Sequence, residues 1–312
     1  MIIDNFIYLD DTGLYCPYGK FYLDPKQPVD FALISHAHAD HAVAGNKHIY
    51  CTAPTAAFMQ LRYGKSSGQQ FNITYWHQPF ELNGVRVTFI PAGHMLGSAQ
   101  ILMEYRGTRY LYTGDYKLQP DPTCEPLEWV KADVLITEST FADPAVQHPD
   151  PVAEISKLNN IDSNIMLGAY ALGKAQRLTA MINMYAPEKK VLIHHRIFPL
   201  HQLYQNNGIQ LGGFQLYGRK LMKTQGGYVY IVPPLAFNSY FRAVGVKRLF
   251  ASGWSNLQVN KQDTLFISDH VDWNDILITI NQVQPQQVWT LHGDGRHLKT
   301  HFQDQLTVKL LN

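Results

Sequence analysis

The segment Ile34-Ser35-His36-Ala37-His38-Ala39-Asp40-His41 constrains this chain more than any other, because an apolar run ends directly in four candidate metal ligands within six residues. The alanines between them are small enough for the loop to coil, so that the imidazoles and the carboxylate can converge on one point. Imidazole and carboxylate are the donors that suit Zn²⁺ or another divalent first-row metal. A solvated polar loop is the plain alternative, but it has no need of such density at the end of a strand. Strand ends along one sheet edge are where α/β-type scaffolds gather their sites, so the motif predicts a sheet-rich α/β protein.

Three further positions share that setting. His94 lies in PAGHMLGSAQI, between glycines that follow one strand and precede another, where backbone can approach a metal closely. Asp115 in LYTGDY and His292 in VWTLHGDG also end apolar runs. Alone, His94 reads as a hydrogen-bonded histidine and Asp115 as a turn residue or helix cap. Together they complete an arrangement with His36, His38 and His94 on one ion, Asp40, His41 and His292 on a second, and Asp115 between them. A water between two such ions would ionise near neutral pH. The cofactor expectation is therefore two divalent metal ions, Zn²⁺ first and Mn²⁺ as the alternative.

Around these positions the chain has a three-part pattern. Short β-type runs dominate the first part, at 21–25, 31–35, 48–52, 85–92, 99–105, 108–116 and 133–140, with helical spacing at 53–64 and in the stretch that begins DHAVAG. From about residue 146 strands and helices alternate: NIMLGAY, a helix over GKAQRLTAMINMYA, VLIHHRIF, YVYIVPP and RLFASGW. That order implies a small α/β unit with parallel strands. After about 262 strand-like runs return around the helical WNDILITINQV. The reading is a core at 1–145 and 262–312 interrupted by an insert at 146–261.

Composition supports a globular chain: of 312 residues 46% are hydrophobic and 16% charged, with 18 Tyr and 15 Phe. The formal charge of +1 advertises no polyanion partner by itself. Cys16, Cys51 and Cys124 form no CxxC pair, which argues against a disulfide framework or thiolate zinc site and fits a reducing cytoplasm. Neither a basic leader nor an 18-residue apolar stretch is expected to direct the chain to export or a membrane.

The HxHxDH segment, His94 and Asp115 reproduce in order the motifs of the metallo-β-lactamase superfamily, which the chain resembles. Asp24 in FYLDP matches that superfamily's early aspartate, implied to orient a ligand loop; its plain alternative is a turn residue before Pro25. The chain also resembles the β-CASP branch, a group of nucleases. There Glu138 in ITEST matches an acidic residue that ends a strand, His270 in ISDHVDW a following histidine, and His292 the last one. GLYCPYGKFYLDP, AGHMLGSAQI, DPTCEP, ITESTF, FASGW and SDHVDW are similar to bacterial ligase-associated or helicase-associated DNA exonucleases, also labelled messenger-RNA 3′-end processing factors.

The resemblance implies an αββα metallo-β-lactamase sandwich with an inserted α/β β-CASP domain. It implies a two-metal nuclease with Asp40, His270 and Glu138 as catalytic residues, His270 protonating the leaving oxygen under the control of Glu138. DNA is favoured over RNA as partner, with a DNA ligase and a helicase as associates. A histidine at position 292 is typical of RNA-acting members and pulls the other way. Two other readings stay open: a small-molecule hydrolase such as a glyoxalase II or lactonase, and a silent scaffold. The former lack the long insert, and the latter usually lose ligands. Lys174 and Arg177, on the first turns of a helix, are candidate phosphate contacts, with ordinary solvated helix charges as the alternative. Beyond these the insert offers Lys189, Lys190 and Arg196, and no strongly basic groove. The pair His194-His195 lacks acidic or cysteine companions and reads as structural or substrate-touching rather than as a second metal site.

Overall fold

A computed structural model describes residues 1–223, 226–239, 245–254 and 264–311. The chain divides into two compact units. One comprises residues 1–120, 124–147 and 270–312, and the other 121–123 and 148–269.

The first unit holds two sheets. One runs in the order β1 (Tyr8–Leu9), β2 (Leu14–Cys16), β3 (Phe21–Leu23), β4 (Phe31–Leu33), β5 (Asn46–Cys51), β6 (Gly68–Ile73), antiparallel at first and parallel from β3 onward. The other contains β7 (Phe80–Leu82), β8 (Val85–Pro91), β9 (Ala99–Tyr105), β10 (Thr108–Tyr112) and β11 (Val134–Glu138), continued by β18 (Gln287–Leu291) and β19 (Thr307–Leu310). Its strands β7 to β10 are antiparallel, whereas β10, β11, β18 and β19 are parallel neighbours.

Residues from both sheets make one buried cluster: Phe6, Phe21, Leu23 and Leu33 meet Val87, Ile101, Tyr110, Ile136 and the fully buried Trp289. Each outer face carries a helix. Ala56 and Met59 of α1 (Ala53–Tyr63) pack on Ala32, Ile34 and Ile49. On the opposite sheet, Ile276, Ile280 and Val283 of α6 (Trp273–Val283) and Leu298 of α7 (Arg296–His301) pack on Leu111, Leu135 and Val288. These are the four layers of an αββα sandwich. Two sheet faces per strand pair also explain why β11 and β18 are apolar without alternation, while β8 alternates at its solvent-facing start.

The stretch after Asp40 departs from its expected helix. It forms one turn, with His41 and Ala42 amides both donating to His38 O, and then Gly45 at φ +89° redirects the chain into β5. Asn46 completes the turn, accepting from Val29 N and donating to Val43 O. Local bonds of this kind offer the backbone an alternative to helix.

In the second unit a wholly parallel sheet has the order β14 (Phe214–Leu216), β13 (Lys190–Ile193), β15 (Tyr228–Val232), β12 (Asn164–Gly168), β16 (Val246–Ala251), β17 (Thr264–Leu265). Helices α2 (Pro151–Ser156) and α3 (Lys174–Tyr185) cover one face through Ile155, Leu178 and Ile182. The remaining helices are α4 (Phe198–Asn206) and α5 (Pro234–Ser239). Because Thr264 and Leu265 pair with Phe250 and Ala251 of β16, this unit continues to Asp269 and the TLFIS run belongs to it rather than to the core. The expected division at 261–262 lies outside the described residues.

Candidate metal centre

The centre lies in the first unit, where strand ends meet. Beyond β4, Ser35 and His36 follow Ile34, whose amide still bonds Tyr50 O, and the turn described above then swings His38 and His41 back beside His36. His94 sits in the loop between β8 and β9. Ser98 Oγ accepts from the amides of His94 and Met95, and the buried Lys117 Nζ donates to His94 O. Gly97, at φ +77°, lets this loop approach helix α1: a side chain there would meet Thr52 Oγ1, which caps the helix and donates to Gly97 O. Asp115 follows β10 through Gly114, whose missing Cβ leaves room for Ser35.

One oxygen of Asp115 organises the cluster. Asp115 Oδ2 lies 3.3 Å from His41 Nε2, 3.6 Å from His36 Nε2, 3.9 Å from His270 Nδ1 and 4.0 Å from His94 Nε2. The ring nitrogens also face each other, His38 Nδ1 being 3.1 Å from both His36 Nε2 and His94 Nε2.

The tautomers follow from the hydrogen bonds behind the rings. Asp24 accepts from Ser35 N at 2.7 Å, Ser35 Oγ at 2.5 Å, Tyr112 Oη at 2.8 Å and His41 Nδ1 at 2.8 Å. Since Ser35 spends its hydroxyl proton on Asp24, it accepts from His36 Nδ1 at 3.0 Å. His36 is thereby left with an Nε2 lone pair directed into the cluster, and His41, its Nδ1 committed to Asp24, turns Nε2 toward Asp115. Asp24 thus lies behind Ser35 and His41, and it holds φ +42° there. Ser35 and Tyr112 were not singled out from sequence; Ser35 could have been, as the residue that precedes the first histidine.

Electrostatics sort the imidazoles into different states. Burial, then the neighbouring His41, holds His36 well below the ordinary histidine value, so it is a neutral donor. For His41 burial acts in the same direction, but Asp115 and Asp24 outweigh it and raise its affinity for a proton well above normal. Burial would raise Asp115, yet His41, His270 and His36 hold it well below the usual carboxylate range. Burial and then His41 lower His292. Converging lone pairs around a buried carboxylate are satisfied by a cation at their focus, so the donor set fits a divalent metal. His36, His38, His94 and Asp115 place ligand atoms within 4.8 Å of one another and would hold one ion.

The other expected ligands are gathered less tightly. Asp40 Oδ2 is 3.9 Å from His41 Nε2, with its side chain 82% exposed. The ring of His292, which follows β18 and is an exposed residue, is centred 5.2 Å from that of His41. His292 has φ +54°, and Gly293 follows it where any Cβ would strike Ser139 O. His270 Nδ1 donates to Glu138 Oε2 at 2.9 Å, and Glu138 is fixed in turn by Tyr116 N and Thr140 Oγ1. Glu138 and His270 are thus hydrogen-bonded to each other, with Asp115 alongside.

Lys174 and Arg177 behave otherwise than as phosphate contacts or solvated helix charges. Both are buried in the second unit, Lys174 Nζ 3.1 Å from Asp269 Oδ2 and Arg177 Nη1 2.8 Å from Asp269 Oδ1. Arg177 also donates to Ser268 O and faces Asp121. Long flexible stems let both cations fold inward, and a buried charge needs such partners.

A family profile described as a beta-lactamase superfamily domain matches residues 18–195, more than half of the chain and the span that holds most of this centre. The chain belongs to the metallo-β-lactamase superfamily. Its relatives are consistent with the β-CASP branch. A protein named "Probable DNA ligase" from Opitutus terrae is 34% identical over 300 residues, 90% of this chain and 28% of the relative. An RNase J-like protein from Methanocaldococcus jannaschii is 29% identical over 213 residues, 58% of this chain and 50% of that one. The endoribonuclease YSH1 of Gibberella zeae is 29% identical over 197 residues, 50% and 24%. This superfamily member thus spans half or less of each of these relatives. A solved structure of a protein of unknown function from Enterococcus faecalis V583 shares the fold, with TM-score 0.61, 16% identity and coverage of 89% of this chain and 78% of that one. Among the described residues no helix is long and apolar enough to cross a membrane.

Proposed function

We propose that this metallo-β-lactamase protein is a metal-dependent phosphodiesterase that hydrolyses DNA, acting exonucleolytically on single strands or ends in repair. The observation that carries the phosphodiesterase reading is the pairing of His270 with Glu138 beside a cluster of imidazoles around Asp115. His36, His38, His94 and Asp115 would hold one divalent ion, Zn²⁺ or Mn²⁺, and Asp40, His41 and His292 with Asp115 a second; when bound, such ions would supply an activated water and positive charge against the phosphorane-like transition state.

The chain's own residues do the rest. Asp24 and Ser35 orient His41 and His36, so that ligand geometry is set before substrate arrives. Glu138 accepts the Nδ1 proton of His270, which stabilises the protonated ring and turns Nε2–H toward the leaving oxygen. The DNA preference is supported by the relative named "Probable DNA ligase", which aligns with nearly the whole chain inside a much longer protein. Association with a DNA ligase is proposed on the same ground, and a reducing, cytoplasmic setting on the wide spacing of the three cysteines, Cys16, Cys51 and Cys124. His292 and the endoribonuclease relatives support RNA as the second reading.

The test compares wild type and Asp115→Ala on end-labelled single-stranded DNA and RNA of matched sequence, with Zn²⁺ or Mn²⁺ supplied. Laddered loss of DNA that the substitution abolishes is expected. Cleavage of RNA alone moves the protein to RNA processing. Cleavage of neither ends the nuclease reading.

A further inference from the structure

From Lys189 to Gln262 the sequence holds ten of the chain's 26 Lys and Arg and none of its 25 Asp and Glu. A near-neutral chain therefore conceals one strongly basic segment. Within it, adjacent parallel strands β13 and β14 end in His194-His195-Arg196 and in Tyr217-Gly218-Arg219-Lys220. The strand ends are registered to each other and to β15, as Tyr217 N donates to Ile193 O and His194 N to Ile231 O.

Four rings form a ladder at this edge. Tyr217 stacks on Tyr230 with centroids 4.2 Å apart and planes 25° from parallel, Tyr230 lies 6.4 Å from His194 at 26°, and His194 lies 4.1 Å from His195 at 34°. The inner rungs, Tyr230 and His194, are buried, whereas the outer rungs, Tyr217 and His195, are exposed, as are Arg196, Arg219 and Lys220. Burial, followed by His195 and Arg196, keeps His194 below the ordinary histidine value, so this rung is a neutral ring rather than a fourth cation. Lys174 and Arg177 are engaged with Asp269, but these exposed cations lie in a segment that has no carboxylate to offer them.

We infer that the β13–β14 edge is a binding platform for single-stranded nucleic acid, on which unstacked bases lie against Tyr217 and His195 while Arg196, Arg219 and Lys220 meet the phosphates. Exposed π faces interleaved with cations favour an unpaired strand over a duplex, because a duplex hides its base faces, and favour nucleic acid over an acidic peptide, which has no planar bases to stack. The platform rests on the nucleic-acid reading above and gives it a subsite within the second unit alone.

The experiment measures fluorescence anisotropy of labelled dT12 and of a matched abasic phosphodiester 12-mer with the full chain in EDTA, so that hydrolysis does not intervene. Tyr217→Ala with His195→Ala is expected to weaken dT12 about tenfold or more and to leave the abasic oligomer's weaker binding in place. Tyr217→Phe, which keeps the ring, is expected to bind dT12 as wild type does, and thermal midpoints near that of wild type show that the variants fold. Arg196→Gln, Arg219→Gln and Lys220→Gln together are expected to weaken both oligomers and to flatten the salt dependence by about two in log–log slope. Unchanged dT12 affinity in the ring variant overturns the platform even if the protein cleaves DNA or RNA. Ring-dependent binding by a protein that cleaves neither upholds the platform and removes the nuclease.

Discussion

Histidines cluster in both units, but to different ends. Around Asp115 the imidazoles of His36 and His94 meet that of His38 nitrogen to nitrogen and His41 turns its Nε2 to the carboxylate, with Asp24 behind His36 through Ser35 and behind His41 directly. In the second unit His194 and His195 meet ring face to ring face, and His201 is clamped between an amide and a hydroxyl. Buried rings occur in both settings, His36, His41 and His94 in the one and His194 and His201 in the other. What differs is whether carboxylates stand at the ring edges, and that decides whether a histidine is directed at a cation or serves as a neutral ring.

Replacing the shared carboxylate should break the first arrangement most severely. Asp115→Ala is expected to lose bound Zn²⁺, measured by plasma mass spectrometry after gel filtration, and all hydrolytic activity. If metal is retained at the wild-type ratio, Asp115 is not the organising ligand. His270→Gln should separate proton transfer from metal holding, with kcat down about 10²- to 10⁴-fold at unchanged metal content. Equal loss of metal would make His270 a ligand instead. Asp24→Asn is milder: every partner of Asp24 is a donor, so an amide NH₂ would face at least one of them. Metal affinity should fall about 10- to 100-fold, read by competition with a chelator, while the fold survives.

The same contrast explains what could be read from sequence. Ligand density is a local property, so His36, His38, Asp40 and His41 stand out as candidate ligands, and strand-end placement adds His94, Asp115 and His292 as candidates. Ser35 and Tyr112 acquire their roles only when β3, β4 and β10 bring Asp24 against them, a tertiary fact that no spacing encodes. The αββα layering was foreseen through family resemblance, and the helix expected after Asp40 was not, because side-chain bonds of Asn46 and the turn at His38 compete with it. Lys174 and Arg177 were misread because side chains of that length choose their direction by which carboxylate the fold supplies.

His201 offers the most modest test, of a histidine buried without any carboxylate. Gln176 Nε2 donates to its Nδ1 at 3.0 Å, so Nε2–H donates to Thr179 Oγ1 at 2.8 Å, and Thr179 passes its own proton to Ala175 O. A second proton on Nδ1 would face the Gln176 amide donor. Burial accordingly pushes His201 down to about 4, against an ordinary value of 6.5. Since the folded value is depressed, its contribution to stability is complete above pH 6.5 and is lost as pH falls toward 4, where the unfolded chain takes the proton first. The loss amounts to about 3 kcal/mol across that window. Urea midpoints of the EDTA-treated protein should show the gap between wild type and His201→Leu narrowing by that amount from pH 7 to pH 4. A gap independent of pH would mean that His201 is protonated in the folded state, and that the second unit supplies it a negative partner after all.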